Sequence, residues 1–293
     1  MTGSLRFEVP TALDYFAMLV VDDASLSLVE AAVSIGQDAQ PQLDVQAVLA
    51  EIDALARRLE RRVAADAVPL QRLRLLNRFF FQELGFAGNV NHYHDPRNSY
   101  LHEVLRTRRG IPITLAVLYI ELAQQIGLQA HGVSFPGHFL VKLRLRQGRQ
   151  QGEVLIDPFS GRSLSRDELA EMLLPYRRQH SLPEEEEAPL ALFLQTASHR
   201  EVLARMLRNL KQIHQSEEDW PALLAVQRRI VVLLPRDWEE RRDRGLAYAE
   251  LGCHAEAVDD LTVYLEHCAA AADAAAIGER VAELRRARPR RRG

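Results

Sequence analysis

Residues 97–128 read RNSYLHEVLRTRRGIPITLAVLYIELAQQIGL, and two downstream stretches, PGHFLVKL (136–143) and VLIDPF (154–159), complete the segment on which the fold turns. An Arg108-Arg109-Gly110 turn feeds Pro112. Proline is tolerated at the first position of a helix because the N–H it lacks would be unpaired there. From Ile113 to Ile126 apolar residues, among them Leu115, Leu118, Tyr119, Ile120 and Leu122, cover most of the circumference. Such breadth predicts a buried central helix, and Gly127 is placed to end it. His138 then heads one apolar strand and Asp157 ends another.

Working outward, strands are predicted over 130–135, 138–145 and 153–156, with a hairpin turn at Gln147–Gln150. A helix follows over 164–174, capped by Ser163 or Ser165. Upstream, helical spacing recurs at Leu13, Phe16, Leu19 and Val20, again from Val45 to Leu59, and from Leu70 to Leu84 with Gly85 as terminator. Breaks fall at Ile35–Asp38 and Ala67–Pro69. Residues 1–90 are therefore expected to be helices packed on a core at 91–181. Between them GNVNHYHDPRN (88–98) is a polar loop. Residues 182–189, with four glutamates between two prolines, make a solvated acidic linker and a domain boundary.

Residues 190–293 are helical throughout by pattern. Gly245, Tyr248, Leu251, Gly252, Ala257 and Leu261 fit the small/aromatic/small register of a tetratricopeptide unit beginning near Glu239. An offset of about 34 residues, the period of that repeat, carries His254 back to Trp220. Two units are expected, the first degenerate, with a capping helix over 273–286. The arginines from Arg285 to Arg292 carry no interleaved aromatics and read as a solvated end, so no nucleic-acid partner is expected.

The chain has 293 residues, is 47% apolar and carries a net charge of −3, which fits a soluble globular protein without a global nucleic-acid or membrane footprint. Cys253 and Cys268 fit no zinc or redox spacing. No leader-like apolar region and no membrane span are read, so the expected location is the cytoplasm.

Asn98-Ser99-Tyr100-Leu101, Gly110 to Leu115, Gly137-His138 and Asp157-Pro158-Phe159 carry a family resemblance. The central stretch resembles the transglutaminase-like superfamily. More closely, from about residue 10 to 285, the chain resembles a bacterial family, the SirB type of invasion-gene regulators, that joins such a domain to C-terminal tetratricopeptide repeats. The resemblance implies an α+β, papain-like domain with N-terminal helices, followed by an all-α repeat region. It also implies a triad: a Cys at the start of the central helix, activated by the helix dipole, a His as base and an Asp as orienter. His138 and Asp157 map onto the last two. Counted back from Gly127, the Cys position falls on Pro112, and both cysteines of the chain lie in the repeats.

Without a nucleophile, His138 and Asp157 read as a hydrogen bond pinning two strands, against a retained catalytic pair. Thr114 is the one nearby hydroxyl that can substitute, although a helical Thr more often bonds its own turn. Arg109, with Arg97, Arg106 and Arg108, can form an anion pocket at the helix start, or simply ion-pair with Glu103. His94 lies in a His-x-His loop that lacks a third fixed ligand, so no metal is expected, though the loop would border the cleft. Asn98 and Tyr100 are expected to anchor that loop. The expected function is non-catalytic protein or peptide binding and regulation through repeats and cleft, with no cofactor. The alternative is a hydrolase or transferase of amide bonds, using His138 and Asp157 with Thr114 or water as nucleophile. A third reading gives the whole function to the repeats.

Overall fold

The computed structural model describes residues 10–147, 150–180 and 189–287. Helix α1 (Ala12–Leu19) starts at a capping box between Thr11 and Asp14. α2 (Leu28–Ser34) runs into a 3-10 turn, and α3 (Val45–Glu60) is capped by Asp44, whose carboxylate accepts from the Ala47 N–H. α4 (Pro69–Asn77) begins with proline. The single α-helix predicted over 70–84 is instead α4 followed by a π-helical turn, Arg78–Glu83. The wider turn buries Phe79 and Phe80 together, while Phe81 stacks on Tyr119 with ring centroids 5.7 Å apart.

There follow β1 (Ala87–Gly88), α5 (Leu101–Thr107), β2 (Arg109–Gly110) and α6 (Pro112–Gln125), then β3 (Gln129–Val133), β4 (Leu140–Gln147), β5 (Gln150–Asp157), β6 (Arg162–Leu164) and α7 (Arg166–Gln179). The sheet order is β3-β4-β5-β6, antiparallel throughout. Strand alternation decides its two faces. Ala130 opposite Leu143 and Gly132 opposite Val141 are buried on the side of α6. Val133 opposite Leu140 packs with Leu169 and Leu173 of α7 and with Leu190. These elements form one compact unit, residues 26–36 and 42–206, with α6 at its centre against α2, α3, α5 and β3. β1, β2 and β6 escaped the sequence reading because two or three residues carry no periodicity. His138 lies two residues before its strand, in a turn and not at the strand's head.

The second unit comprises residues 10–25, 37–41 and 207–287. It takes in α8 (His199–Ser216) from Leu207 onward, with α9 (Trp220–Leu233), α10 (Trp238–Glu250), α11 (His254–His267) and α12 (Ala274–Ala287), where α10 packs on α9, α11 on α10 and α12 on α11. α9 and α11 start at Trp220 and His254, the pair of positions related by the repeat period. Gly245 lets α10 and α11 approach: a Cβ there would lie 2.9 Å from the Leu261 side chain. Lys211 bridges Glu240 and Asp243, and Arg244 pairs twice with Asp260.

The N-terminal helix departs from the linear division that gave residues 1–90 to the core. α1 packs on α9 with Phe16 fully buried. Arg229, 0% exposed, forms two hydrogen bonds with Asp38 at 2.6 and 2.8 Å and lies over the Phe16 ring. A buried guanidinium needs such a partner, and the nearest carboxylate in space is remote in sequence. The acidic run Glu184–Glu187 and the arginines beyond Ala287 lie outside the described residues. Among the described residues no helix is long and apolar enough to cross a membrane.

Candidate functional site

The site is assembled around the start of α6. β1 and β2 pair in parallel, Ala87 with Arg109 and Gly88 with Gly110. The Gly88 N–H also donates to the Phe159 carbonyl at 3.0 Å, and a Cβ at Gly88 would sit 2.3 Å from the Phe159 ring. That close approach, possible only for glycine, brings the Asp157 turn to the same ladder that leads into α6. Pro112 is the first residue of α6 and is buried, and no side chain caps this helix start. Gly110 is required for space, since a Cβ would meet Thr114 Oγ1 at 2.9 Å.

His138 follows the Phe135-Pro136-Gly137 turn, with Gly137 at φ +69°. The Phe135 carbonyl accepts the His138 N–H and also a hydrogen bond from Arg205 Nη1, which reaches Ser134 Oγ at 2.7 Å as well. The imidazole Nε2 lies 2.8 Å from Asp157 Oδ1, with the two side chains 20% and 14% exposed. The other face of the ring, Nδ1, is therefore the one left to meet a ligand or a proton donor when Asp157 holds the proton on Nε2. Asp157 also accepts from the Phe159 N–H and from Ser160 Oγ. Burial opposes its ionisation, but the hydrogen bonds from His138, Ser160 and the Phe159 N–H outweigh it and hold the carboxyl below its usual range.

The remaining candidates have other partners. Thr114 is fully buried, and its hydroxyl faces two carbonyls, Asn98 at 2.7 Å and Ile111 at 3.0 Å. Asn98 organises the 89–98 loop: its amide donates to the carbonyls of His92 and Tyr93 and accepts from Asn89 Nδ2. His94 is exposed, touching the Tyr93 ring edge-on. The arginines weighed as an anion pocket at the helix start have other partners. Arg109 donates to the carbonyls of Gly85 and Arg108, Arg97 pairs with Asp95 and Arg106 with Glu103. Arg108 lies over the Phe86 ring. No group of three or more potential metal ligands gathers among the described residues.

Sequence reasoning missed Ser160, Arg205 and Tyr93. The string Asp157-Pro158-Phe159-Ser160-Gly161 is a turn signal that leaves Ser160 beside the carboxylate. Arg205 has no local signal, because its partners, Ser134 and Phe135, lie 71 and 70 residues upstream. Burial pushes the Tyr93 phenol up, with the Arg205 charge opposing; burial likewise lowers Arg205 against the pull of Tyr93.

The transglutaminase-like superfamily model matches residues 46–208, and a tetratricopeptide-repeat model matches residues 210–282. The chain is 39% identical over 251 residues to a UPF0162 protein of Xylella fastidiosa strain 9a5c, covering 85% of this chain and 87% of that one. It is 29% identical over 251 residues to a UPF0162 protein of Vibrio cholerae, covering 84% and 88%. To the UPF0162 protein YchA of Escherichia coli it is 29% identical over 233 residues, covering 78% and 80%. No solved structure matches. A helix, a His turn and an Asp strand in superfamily order, followed by helical repeats, agree with these matches, and the chain belongs to the bacterial UPF0162 family of transglutaminase-like proteins with tetratricopeptide repeats.

Proposed function

We propose that this protein binds protein or peptide ligands as a cytoplasmic regulator and does not carry out the thiol-dependent acyl transfer of its superfamily. The observation that carries the reading is the start of α6. Its first residue is Pro112, and the nearest hydroxyl along the helix, Thr114, is buried against the carbonyls of Asn98 and Ile111. A general base acts only on a proton within hydrogen-bond reach, about 2.6–3.2 Å or one water away. His138 and Asp157 then serve as a fixed, polar recognition element: the oriented imidazole offers Nδ1 to a ligand donor. The repeats supply the second surface, the usual role of stacked helical hairpins.

One observation favours a second reading. The His138 side chain is 20% exposed, enough for water to approach Nδ1, so an amide hydrolase with activated water is the competing activity. The test incubates the purified protein with a glutamine-containing peptide and a fluorescent amine, following both amine incorporation and ammonia release. No turnover above the His138→Ala variant is expected. Turnover that disappears in His138→Ala but persists in a Cys253→Ala/Cys268→Ala variant would replace the binding reading with the hydrolytic one.

A further inference from the structure

We infer that Arg205 and Tyr93, beside the His138–Asp157 pair, bind a carboxylate carried by the ligand. α8 presents Arg205 to the turn that precedes His138. Its Nη1 donates to Ser134 Oγ at 2.7 Å and to the Phe135 carbonyl at 3.1 Å, and the same carbonyl accepts the His138 N–H. The guanidinium and the His138 backbone therefore meet on one oxygen atom. Asp157, which holds the imidazole, also accepts the Phe159 N–H, and the Phe159 ring lies 6.0 Å from that of Tyr93. The 89–98 loop thus brings a phenol, and α8 a cation, to the border of the pair, where Tyr93 and Arg205 act on each other's charge.

The neighbours of the guanidinium decide what it can take. Arg229 is met by Asp38 and Arg244 by Asp260, whereas Arg205 meets a hydroxyl, a carbonyl and the Phe139 ring, 5.6 Å from its centre. No carboxylate among the described residues pairs with it. Burial disfavours its charged form, and the group that opposes this, the Tyr93 phenol, is itself held protonated by burial. A half-buried cation among neutral groups gains most from an added anion.

Geometry names the anion. Nη1 is occupied, while Nε and Nη2, on one edge of the planar group, make no hydrogen bond among the described residues and are not sealed from solvent. Two parallel N–H groups on one edge match the two oxygens of a carboxylate. Tyr93, 43% exposed, adds a hydroxyl that makes no hydrogen bond among the described residues. A single cation, with the Asp157 carboxylate close by, suits a singly charged carboxylate better than a phosphate dianion. The inference rests on the binding reading of this site and deepens it by naming the group recognised. That group arrives either at a peptide C-terminus or on an acidic side chain.

The test titrates the full-length chain with acetyl-Ala-Leu, with its amide and with acetyl-Ala-Glu-Leu amide, up to about 50 mM, enough to fill a millimolar site. NMR follows the Arg205 Nε–H and Gly137 amide resonances. A saturable shift with a carboxylate probe and none with the neutral amide is expected; the carboxylate that saturates first names the source, C-terminus or side chain. Arg205→Lys, which keeps the charge and loses the paired edge, should weaken the Gly137 response about tenfold, and Tyr93→Phe about threefold. Ser134→Ala removes a bond that holds the turn but spares the donor edge, so affinity should stay within about twofold. Equal binding of the neutral amide, no saturable shift with either carboxylate, tighter binding of inorganic phosphate, or a loss in Ser134→Ala as large as in Arg205→Lys overturns the inference. None of these results bears on the amide-turnover assay, which uses other substrates and decides the binding reading separately.

Discussion

Asp38→Ala isolates the buried ion pair that ties α1 and the 3-10 turn to the repeat helices. Arg229 is 0% exposed, Nε and Nη2 bond the Asp38 carboxylate at 2.6 and 2.8 Å, and Nη1 is buried without a hydrogen-bond partner among the described residues. Alanine leaves a guanidinium in an apolar site against Phe16, with no acceptor to replace the carboxylate. Removing one member of a buried pair costs about 3–5 kcal/mol. Asp38 keeps 18% of its side-chain exposure, so water can reach the vacated position and the lower end, about 3 kcal/mol, applies. Both tryptophans, Trp220 and Trp238, lie in this unit, so intrinsic fluorescence during urea unfolding reports on it selectively. With a slope of about 2 kcal/mol/M, the midpoint should fall by about 1.5 M. Asp38→Ala/Arg229→Met, which removes the stranded charge and keeps apolar volume, should recover more than half of that loss. A single-mutant shift below about 0.3 M, or a double mutant no better than the single, would refute the argument that the cost comes from an unpaired buried charge.

Three further outcomes follow from the core unit. Asp157 is held below its ordinary value, 3.8, so its contribution is complete above that value and is lost as pH falls through the lower folded pKa. Asp157→Asn should therefore flatten the acid limb of a stability–pH curve below about pH 4 and leave no added slope near neutrality. Asn98→Ala removes three side-chain hydrogen bonds of the 89–98 loop. It should cost about 1–3 kcal/mol and speed amide exchange across 91–97, read by hydrogen-exchange mass spectrometry. Gly88→Ala drives a methyl into the Phe159 ring. It should cost about 1–3 kcal/mol in thermal unfolding, and Phe159→Leu in the same background should recover part of it; failure to recover would place the strain elsewhere.

Much of the site was legible residue by residue. Pro112, the apolar circumference of α6 and the glycine after it are local signals, and the helix runs Pro112–Gln125, with Gly127 at φ +75° just beyond. Asp157 and His138 stood out as lone polar groups beside apolar strands. Their pairing was legible only through the family resemblance, since the 2.8 Å separation depends on the register that sets Val141 opposite Ile156. Nor was the arginine pocket decidable. The sequence clusters Arg106, Arg108 and Arg109, but each guanidinium is oriented by an acceptor or ring supplied elsewhere: Glu103, the Phe86 ring and the Gly85 carbonyl. The π turn at Arg78–Glu83 has the same origin, since its extra residue answers the Phe80, Phe86 and Tyr119 rings and not a local preference.

Sequence alone determined the central helix and its proline start, the alternation of the strands and the period that relates Trp220 to His254. Each depends on forces that act within a turn or two: capping, φ restriction and the burial of one face. Only the tertiary structure decided that Asp38 answers Arg229 across 191 positions, that α1 packs on α9 and that Thr114 is shut against the Asn98 carbonyl. Those pairings are chosen by which buried donor most needs an acceptor once the chain has collapsed, a cost set by desolvation and invisible to any local pattern.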